Sequence, residues 1–176
     1  MATIKQKTQG AISIRNVTKI YDPEGVHVVA MQDCSFEIAA GEFAVIVGPS
    51  GCGKTTLLNA IAGFDNITSG EIYLDGELIS SPQKQIKPAA DRMVVFQNGA
   101  LFPWKTVIEN IIYGPVVQGR MKRSEAIEIA REMMNRVGLN EIEDKYPEEL
   151  SSGIQRRVEI LRALINHTKV VMLDEP

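Results

Sequence analysis

The sequence has no apolar run that approaches the ~20 residues a membrane-spanning helix needs, so any membrane role is expected to come through a partner. Residues 1–10 are polar and lysine-bearing, with no apolar stretch to serve as a signal peptide. Cysteine is scarce: Cys34 and Cys52 are the only two, too few for a disulfide framework, and a reducing cytoplasm is the expected home. A basic excess is missing as well. Nineteen Lys and Arg against 22 Asp and Glu leave a net charge of −3, which argues against a general nucleic-acid binder. Internal repeats and low-complexity segments are absent too. What remains is 176 residues, 44% hydrophobic and 23% charged, the balance of one soluble globular domain with a sizeable core.

Strand signals fill the first half. Ile12, Ile14 and Val17 nearly alternate with polar residues, as an edge or half-buried strand does, and residues 34–38 read similarly. Residues 43–47 (Phe-Ala-Val-Ile-Val) form a short apolar run bounded by glycines, predicting a strand buried on both faces of a parallel sheet. Lys54–Ala62 reads as a helix closed by Gly63. Residues 71–74 and 77–79 flank an Asp75-Gly76 turn, predicting a hairpin. A proline-marked loop over 80–91 leads to a strand at 93–96. From Thr106 the pattern turns helical, most clearly over 124–137, with Ser124 as the expected N-cap and Gly138 as the stop. Another helix is expected from near Ser151 to about Asn166, and Val170–Leu173 is a final buried strand. The order predicts an α/β fold with a helical insertion.

The stretch Gly48-Pro49-Ser50-Gly51-Cys52-Gly53-Lys54-Thr55 matches G-x-x-x-x-G-K-[ST], between an apolar strand signal and a helix. Glycines let the backbone curl so that successive N–H groups point into one concavity and hold phosphate oxygens. Lys54 adds charge at the β- and γ-phosphates, the Thr55 hydroxyl can ligate Mg²⁺, and the helix presents its positive end to the same anion. The expected nucleotide site comprises Gly48, Pro49, Ser50, Gly51, Cys52, Gly53, Lys54, Thr55 and Thr56, with ATP and Mg²⁺ as cofactors. Cys52 reads as a small loop residue, not a reactive thiol. Downstream, the strand Val170–Leu173 ends in Asp174-Glu175, and a carboxylate at that edge delivers charge to the ligand crevice of an α/β sheet. Asp174 would hold the Mg²⁺ shell and Glu175 would orient or deprotonate an attacking water.

The run Leu150-Ser151-Ser152-Gly153-Ile154-Gln155-Arg156-Arg157-Val158 resembles the signature motif of ABC ATPases. Gln97, closing the strand before it, looks like that family's glutamine that reports Mg²⁺ to the helical subdomain. Tyr21 resembles the aromatic that stacks on adenine. The likeness runs from Ile12 to Pro176. It implies a P-loop NTPase core with an N-terminal antiparallel β-subdomain and an inserted helical subdomain. The single domain 1–176 then divides into core and β-subdomain at 11–97, helical subdomain at 98–165, and catalytic strand at 166–176. By the same resemblance, Glu175, Gln97 and Lys54 are catalytic; Thr55, Gln97 and Asp174 serve the metal; Tyr21, Ser151 and Gly153 join the nucleotide site. The implied partners are a second copy of the subunit and a transmembrane permease, with the chain peripheral on the inner membrane face. Val95-Phe96-Gln97-Asn98, then Leu101-Phe102-Pro103-Trp104, the run 106–110 and Gly114 look most like importers of taurine, sulfonates and nitrate.

The sequence also departs from that pattern. Ser152 stands for the first signature glycine and Ile154 for a Gln or Met. Glu159 and Leu161 occupy helix positions where the family has small residues, and a buried carboxylate there would need a partner. His27 and His167 both precede Glu175, so neither can be the histidine that contacts the γ-phosphate in the family; His167 is expected to close a helix. The chain therefore reads as the N-terminal portion of an ATPase subunit, its C-terminal part absent and little hydrolysis expected from it alone. Two alternatives stand beside an importer subunit: a cassette that binds nucleotide without hydrolysing it, and a soluble ABC-type ATPase outside transport.

Overall fold

A computed structural model describes residues 9–22 and 25–175. The reading of the polar start over residues 1–8 and the boundary at Pro176 lie outside the described residues. The chain divides into two compact units, Met1–Ala89 and Ala90–Pro176.

Among its described residues the first unit is an antiparallel sheet with one α-helix. β1 (Ile12–Tyr21), β2 (Val28–Ile38), β3 (Ser69–Leu74) and β4 (Glu77–Ser80) stand in the order β2-β1-β3-β4. β1 is thus an interior strand, which selects the half-buried of the two readings its sequence allowed over the edge, and it pairs with β2 over most of its length. Ile12 faces Leu74 and Ile14 faces Ile72, all four buried, so the near-alternation marks one apolar face. Burying each such side chain contributes roughly 1.5–3 kcal/mol. β1 bulges at Asn16 and β2 at Asp33, both with positive φ (49° and 46°), which breaks the alternation after Ile14. The β3–β4 hairpin turns through Asp75 (φ 52°) and Gly76 (φ 80°), the left-handed pair that a two-residue hairpin needs. α1 (Lys54–Ala62) buries Leu57, Ala60, Ile61 and Ala62 and is closed by Gly63, whose N–H donates to Asn59 O at 3.0 Å.

Residues 43–47 correct the sequence reading. They join neither sheet, and Phe43, Val45 and Val47 are 86%, 69% and 88% exposed. A parallel strand draws its ladder bonds wholly from neighbours. In this unit β1–β4 are already paired antiparallel with one another, and none of them adds to 43–47.

The second unit packs helices beside a short parallel pair, β5 (Arg92–Val95) and β6 (Val170–Leu173), in the register Arg92↔Val170 to Val95↔Leu173. α2 (Val107–Val117), α3 (Arg123–Arg136) and α4 (Ser152–Leu164) share a core of Val107, Ile111, Ile112, Ala126, Ala130, Met134, Val158 and Leu161. α2 starts in a capping box in which Thr106 accepts from Glu109 N and Glu109 accepts from Thr106 N, each at 3.4 Å. Lys122, not Ser124, is the N-cap of α3, and it makes no side-chain cap bond. Gly138, in the left-handed conformation (φ 69°), follows the last turn of α3 as expected. After α4 the chain turns at His167 (φ 50°), whose backbone N–H donates to Leu164 O at 3.1 Å. His167 thus closes the helix through its main chain.

Candidate nucleotide site

In the first unit the phosphate loop leads from residues 42–49, which carry no regular secondary structure, through a turn into α1. Gly53, the N-cap of α1, has φ 92°, and a Cβ there would lie 2.3 Å from Ala30 O on β2. Only glycine fits, for conformation and for space. Gly51 is also left-handed (φ 78°), and Cys52 N donates to Pro49 O at 3.4 Å. The Lys54 ammonium folds back over the loop and donates to the carbonyls of Gly48 (2.8 Å) and Pro49 (2.9 Å). It also lies 3.8 Å from Cys52 Sγ. These are neutral acceptors that an anion can outcompete. The N–H groups of Lys54, Thr55 and Thr56 occupy the first turn of α1, where no intrahelical partner exists, and so form the positive end of the helix.

Tyr21, at the end of β1, is tied into a polar cluster. Its hydroxyl donates to Asp65 and also bonds to Thr56. Lys19 Nζ lies 2.5 Å from Asp65 Oδ1, bonds to Asn66 O at 2.7 Å, and sits 4.5 Å from the Tyr21 ring centroid. Burial raises the Asp65 carboxyl, but bonds from Lys19 and Tyr21 and the charge of Lys19 outweigh it and hold the group below its ordinary range. Burial first, then Asp65, pushes the Tyr21 phenol up, so it remains a donor at neutral pH.

In the second unit the in-register pair β5–β6 brings the residues after both strands side by side. Gln97 Nε2 donates to Glu175 Oε2 at 2.5 Å. Asp174 is buried at 8% exposure, and its N–H donates to Val95 O at 3.0 Å. Ser151 caps α4 by position only, without a side-chain bond. Ser151, Ser152 and Gly153 are exposed, whereas Ile154 turns inward and packs on the helical core. Gln155 Nε2 donates to Pro147 O (2.8 Å) and Leu150 O (3.1 Å), fastening the turn that precedes the motif.

No group of three or more His, Cys, Asp or Glu side chains among the described residues could hold a metal by itself. The Thr55 hydroxyl in the first unit and the Asp174 carboxylate in the second are each, taken singly, oxygen donors of the kind that suits Mg²⁺, which keeps waters and substrate phosphates in its shell and takes only one or two protein carboxylates.

Three features escaped the sequence reading. Arg156 donates to Glu159 Oε2 (3.1 Å), Asp174 O (3.0 Å) and Phe96 O, so the buried carboxylate does have its partner. The i, i+3 spacing of Arg156 and Glu159 was the available signal. Asn110, fully buried, accepts from Phe102 N and donates to the carbonyls of Phe102, Lys105 and Thr106, all at 2.8–3.1 Å. It stitches the loop that displays Trp104 at 70% exposure. The Lys19–Asp65 link to Tyr21 spans 44–46 residues and has no local pattern.

A glycine-shaped phosphate loop opening a helix, on an α/β chain with an antiparallel sheet and a helical unit, defines a P-loop nucleotide-binding cassette. The chain belongs to the ABC transporter family, whose sequence profile matches residues 31–176. It is 45% identical over 94% of its length to an uncharacterized ABC transporter ATP-binding protein of Methanocaldococcus jannaschii, covering 59% of that protein. It is 43% identical, with the same two coverages, to the taurine import ATP-binding protein TauB of Roseobacter denitrificans. Other matched relatives are named for bicarbonate, nitrate and spermidine/putrescine transport. The chain therefore spans about three-fifths of the length of the first two relatives. Among solved structures, a dimeric ATP-binding cassette in a post-hydrolysis state with ADP and phosphate superposes with a TM-score of 0.79. That match has 32% identity and covers 93% of this chain and 73% of the other.

Proposed function

We propose that this chain carries the ATP-binding machinery of an ABC importer's energising subunit, which hydrolyses ATP in the complete protein. The observation that carries the reading is the Lys54 ammonium, held by loop carbonyls at 2.8–2.9 Å above a helix N-terminus. In this reading the N–H groups of residues 48–56 hold the phosphates, and Lys54 leaves its carbonyls for the β- and γ-oxygens. Thr55 and Asp174 hold Mg²⁺ with help from Gln97, and Tyr21 stacks on the base. Mg²⁺, when bound, neutralises charge on the transferring phosphoryl group. Glu175 accepts from Gln97 and so keeps its carboxylate aimed for orienting a water. Ser151 and Gly153 serve the nucleotide of a second copy. The Trp104 loop meets a permease at the inner face of the membrane, and the solute is a small anion such as taurine, another sulfonate or nitrate. Support for the solute is the likeness to the taurine import protein, at an identity close to that of the polyamine relative.

The test is titration with a fluorescent ATP analogue in Mg²⁺, paired with phosphate release by the protein completed to the length of its relatives. Saturable binding together with turnover that Glu175→Gln abolishes is the expected result. Binding without turnover would select the binding-only cassette, and no binding would refute the site.

A further inference from the structure

One face of α4 presents Arg156, Glu159 and Arg162 at successive spacings of three; Arg156 reaches backbone oxygens just past the ends of β5 and β6, and Glu159 and Arg162 reach the backbone of Ala100 in the loop that follows β5. Arg156 donates to Phe96 O, Asp174 O (3.0 Å) and Glu175 O (3.4 Å). Glu159 Oε1 accepts from Ala100 N at 2.6 Å, and Arg162 donates to Ala100 O at 2.8 Å. Arg156 and Glu159 also bond to each other at 3.1 Å, with side chains 17% and 4% exposed.

A buried ion pair is weak evidence for stability, since desolvation offsets most of the attraction. Its geometry is the informative part. Every outward bond from this ridge goes to main chain, and the bonded residues bracket Gln97 on one strand end and include Glu175 on the other. A planar guanidinium can serve this many acceptors in fixed directions; an ammonium cannot.

We propose that Arg156, locked by Glu159, is a positioning residue that draws the ends of β5 and β6 onto α4 and so sets the spacing of the Gln97 and Glu175 side chains. Its catalytic consequence rests on the ATPase reading above. Motion of the helix that begins at the signature residues is thereby transmitted to the two side chains that would meet the attacking water and the metal. The bracket acts on backbone, so the identity of residue 97 does not enter into it.

The test uses the protein completed to its relatives' length, with Arg156→Lys and the double variant Arg156→Gln/Glu159→Ala, which removes both members of the Arg156–Glu159 ion pair together. Two quantities are read: amide hydrogen exchange by segment, and ATP turnover. In the double variant, exchange is expected to quicken about tenfold or more at 96–100 and 173–175, while the α2 and α3 core stays protected. Turnover is expected to lose about tenfold in kcat with KM within about twofold, since positioning and not binding is lost. Arg156→Lys should fall between, and it carries the test if the double variant does not fold. Unchanged exchange at those segments would overturn the bracket. Faster exchange with parental kcat would overturn its positioning role. A parent without turnover would refute the ATPase reading instead, and the exchange result would then decide the bracket alone.

Discussion

The phosphate loop of the first unit and the strand-end site of the second are built on opposite plans. In the loop the hydrogen bonds are local: Lys54 bonds to carbonyls five and six residues back, and the glycines set the path of the main chain. In the second unit, Gln97 and Glu175 lie 78 residues apart, and the main chain at Phe96, Asp174 and Glu175 is held by Arg156 from a third element, α4. The loop works through what its residues lack, so added atoms should damage it. The strand-end site works through what Arg156 and Glu159 supply, so removed atoms should damage it.

Gly53→Ala should have the largest effect. A Cβ 2.3 Å from Ala30 O forces the loop or β2 to move, and the left-handed φ of 92° costs a further 1–2 kcal/mol or about that. Loss of measurable ATP-analogue binding and a lowered Tm are expected together. Lys54→Ala should weaken binding about ten- to hundredfold, the worth of a charged hydrogen bond, with Tm unchanged. Chemistry is removed in the second variant and geometry in the first. Parental Tm and affinity in Gly53→Ala would break the contrast at its root, and parental affinity in Lys54→Ala would refute the phosphate loop.

Asn110→Ala sharpens the other half of the comparison. It removes one acceptor and one donor amide from a fully buried position and takes the side-chain partner from Phe102 N and Lys105 O, whereas Phe102 O and Thr106 O keep the backbone N–H donors of Lys105 and Asn110. A loss of about 1–3 kcal/mol is expected, along with freer quenching of Trp104, the only tryptophan. The stacking of Phe102 on Trp104 (5.6 Å between centroids) should loosen with it. An unaltered Trp104 environment would mean that the loop holds itself.

The same contrast explains what the sequence made legible. The loop, the α1 helix with its Gly63 stop, and the Asp75-Gly76 hairpin could be read because each is specified within about ten residues. The strand Val170–Leu173 and the helix from Ser151 were readable from apolar pattern alone. Residues 43–47 were not: an apolar run says that a segment seeks cover, and only a partner strand can provide it. Ser124 failed as a cap because a serine near a helix start competes with its neighbours on geometry that sequence does not show. Arg156 looked like one charge in a basic helix. Its role depends on carbonyls 18 and 60 residues away, and only the register of β5 with β6 puts those carbonyls within reach.

The smallest effect belongs to the Lys19–Asp65–Tyr21 cluster, which lies in the first unit but is built on the plan of the second. The folded-state pKa of Asp65 is lowered: burial opposes ionisation, and the bonds from Lys19 and Tyr21 with the charge of Lys19 prevail. A depressed carboxylate contributes stability that is present above its unfolded value of about 3.9 and is lost as pH falls through the folded one. The cluster's contribution should therefore be constant from neutral pH down to about 4 and fade below that. Asp65→Asn should cost about 1 kcal/mol or less at pH 7, since the pair is partly solvated, and the two stability curves should converge as the pH drops below about 4. Urea midpoints between pH 3 and pH 7 measure this directly. Because the Tyr21 hydroxyl bonds to Asp65, the same variant should release the ring and weaken binding of an adenine nucleotide more than binding of inorganic triphosphate, by about twofold to fivefold if stacking is worth its usual fraction. Curves that stay parallel to pH 3 would remove Asp65 as the titrating group. Equal losses for nucleotide and triphosphate would show that Tyr21 is held for the fold and not for the base.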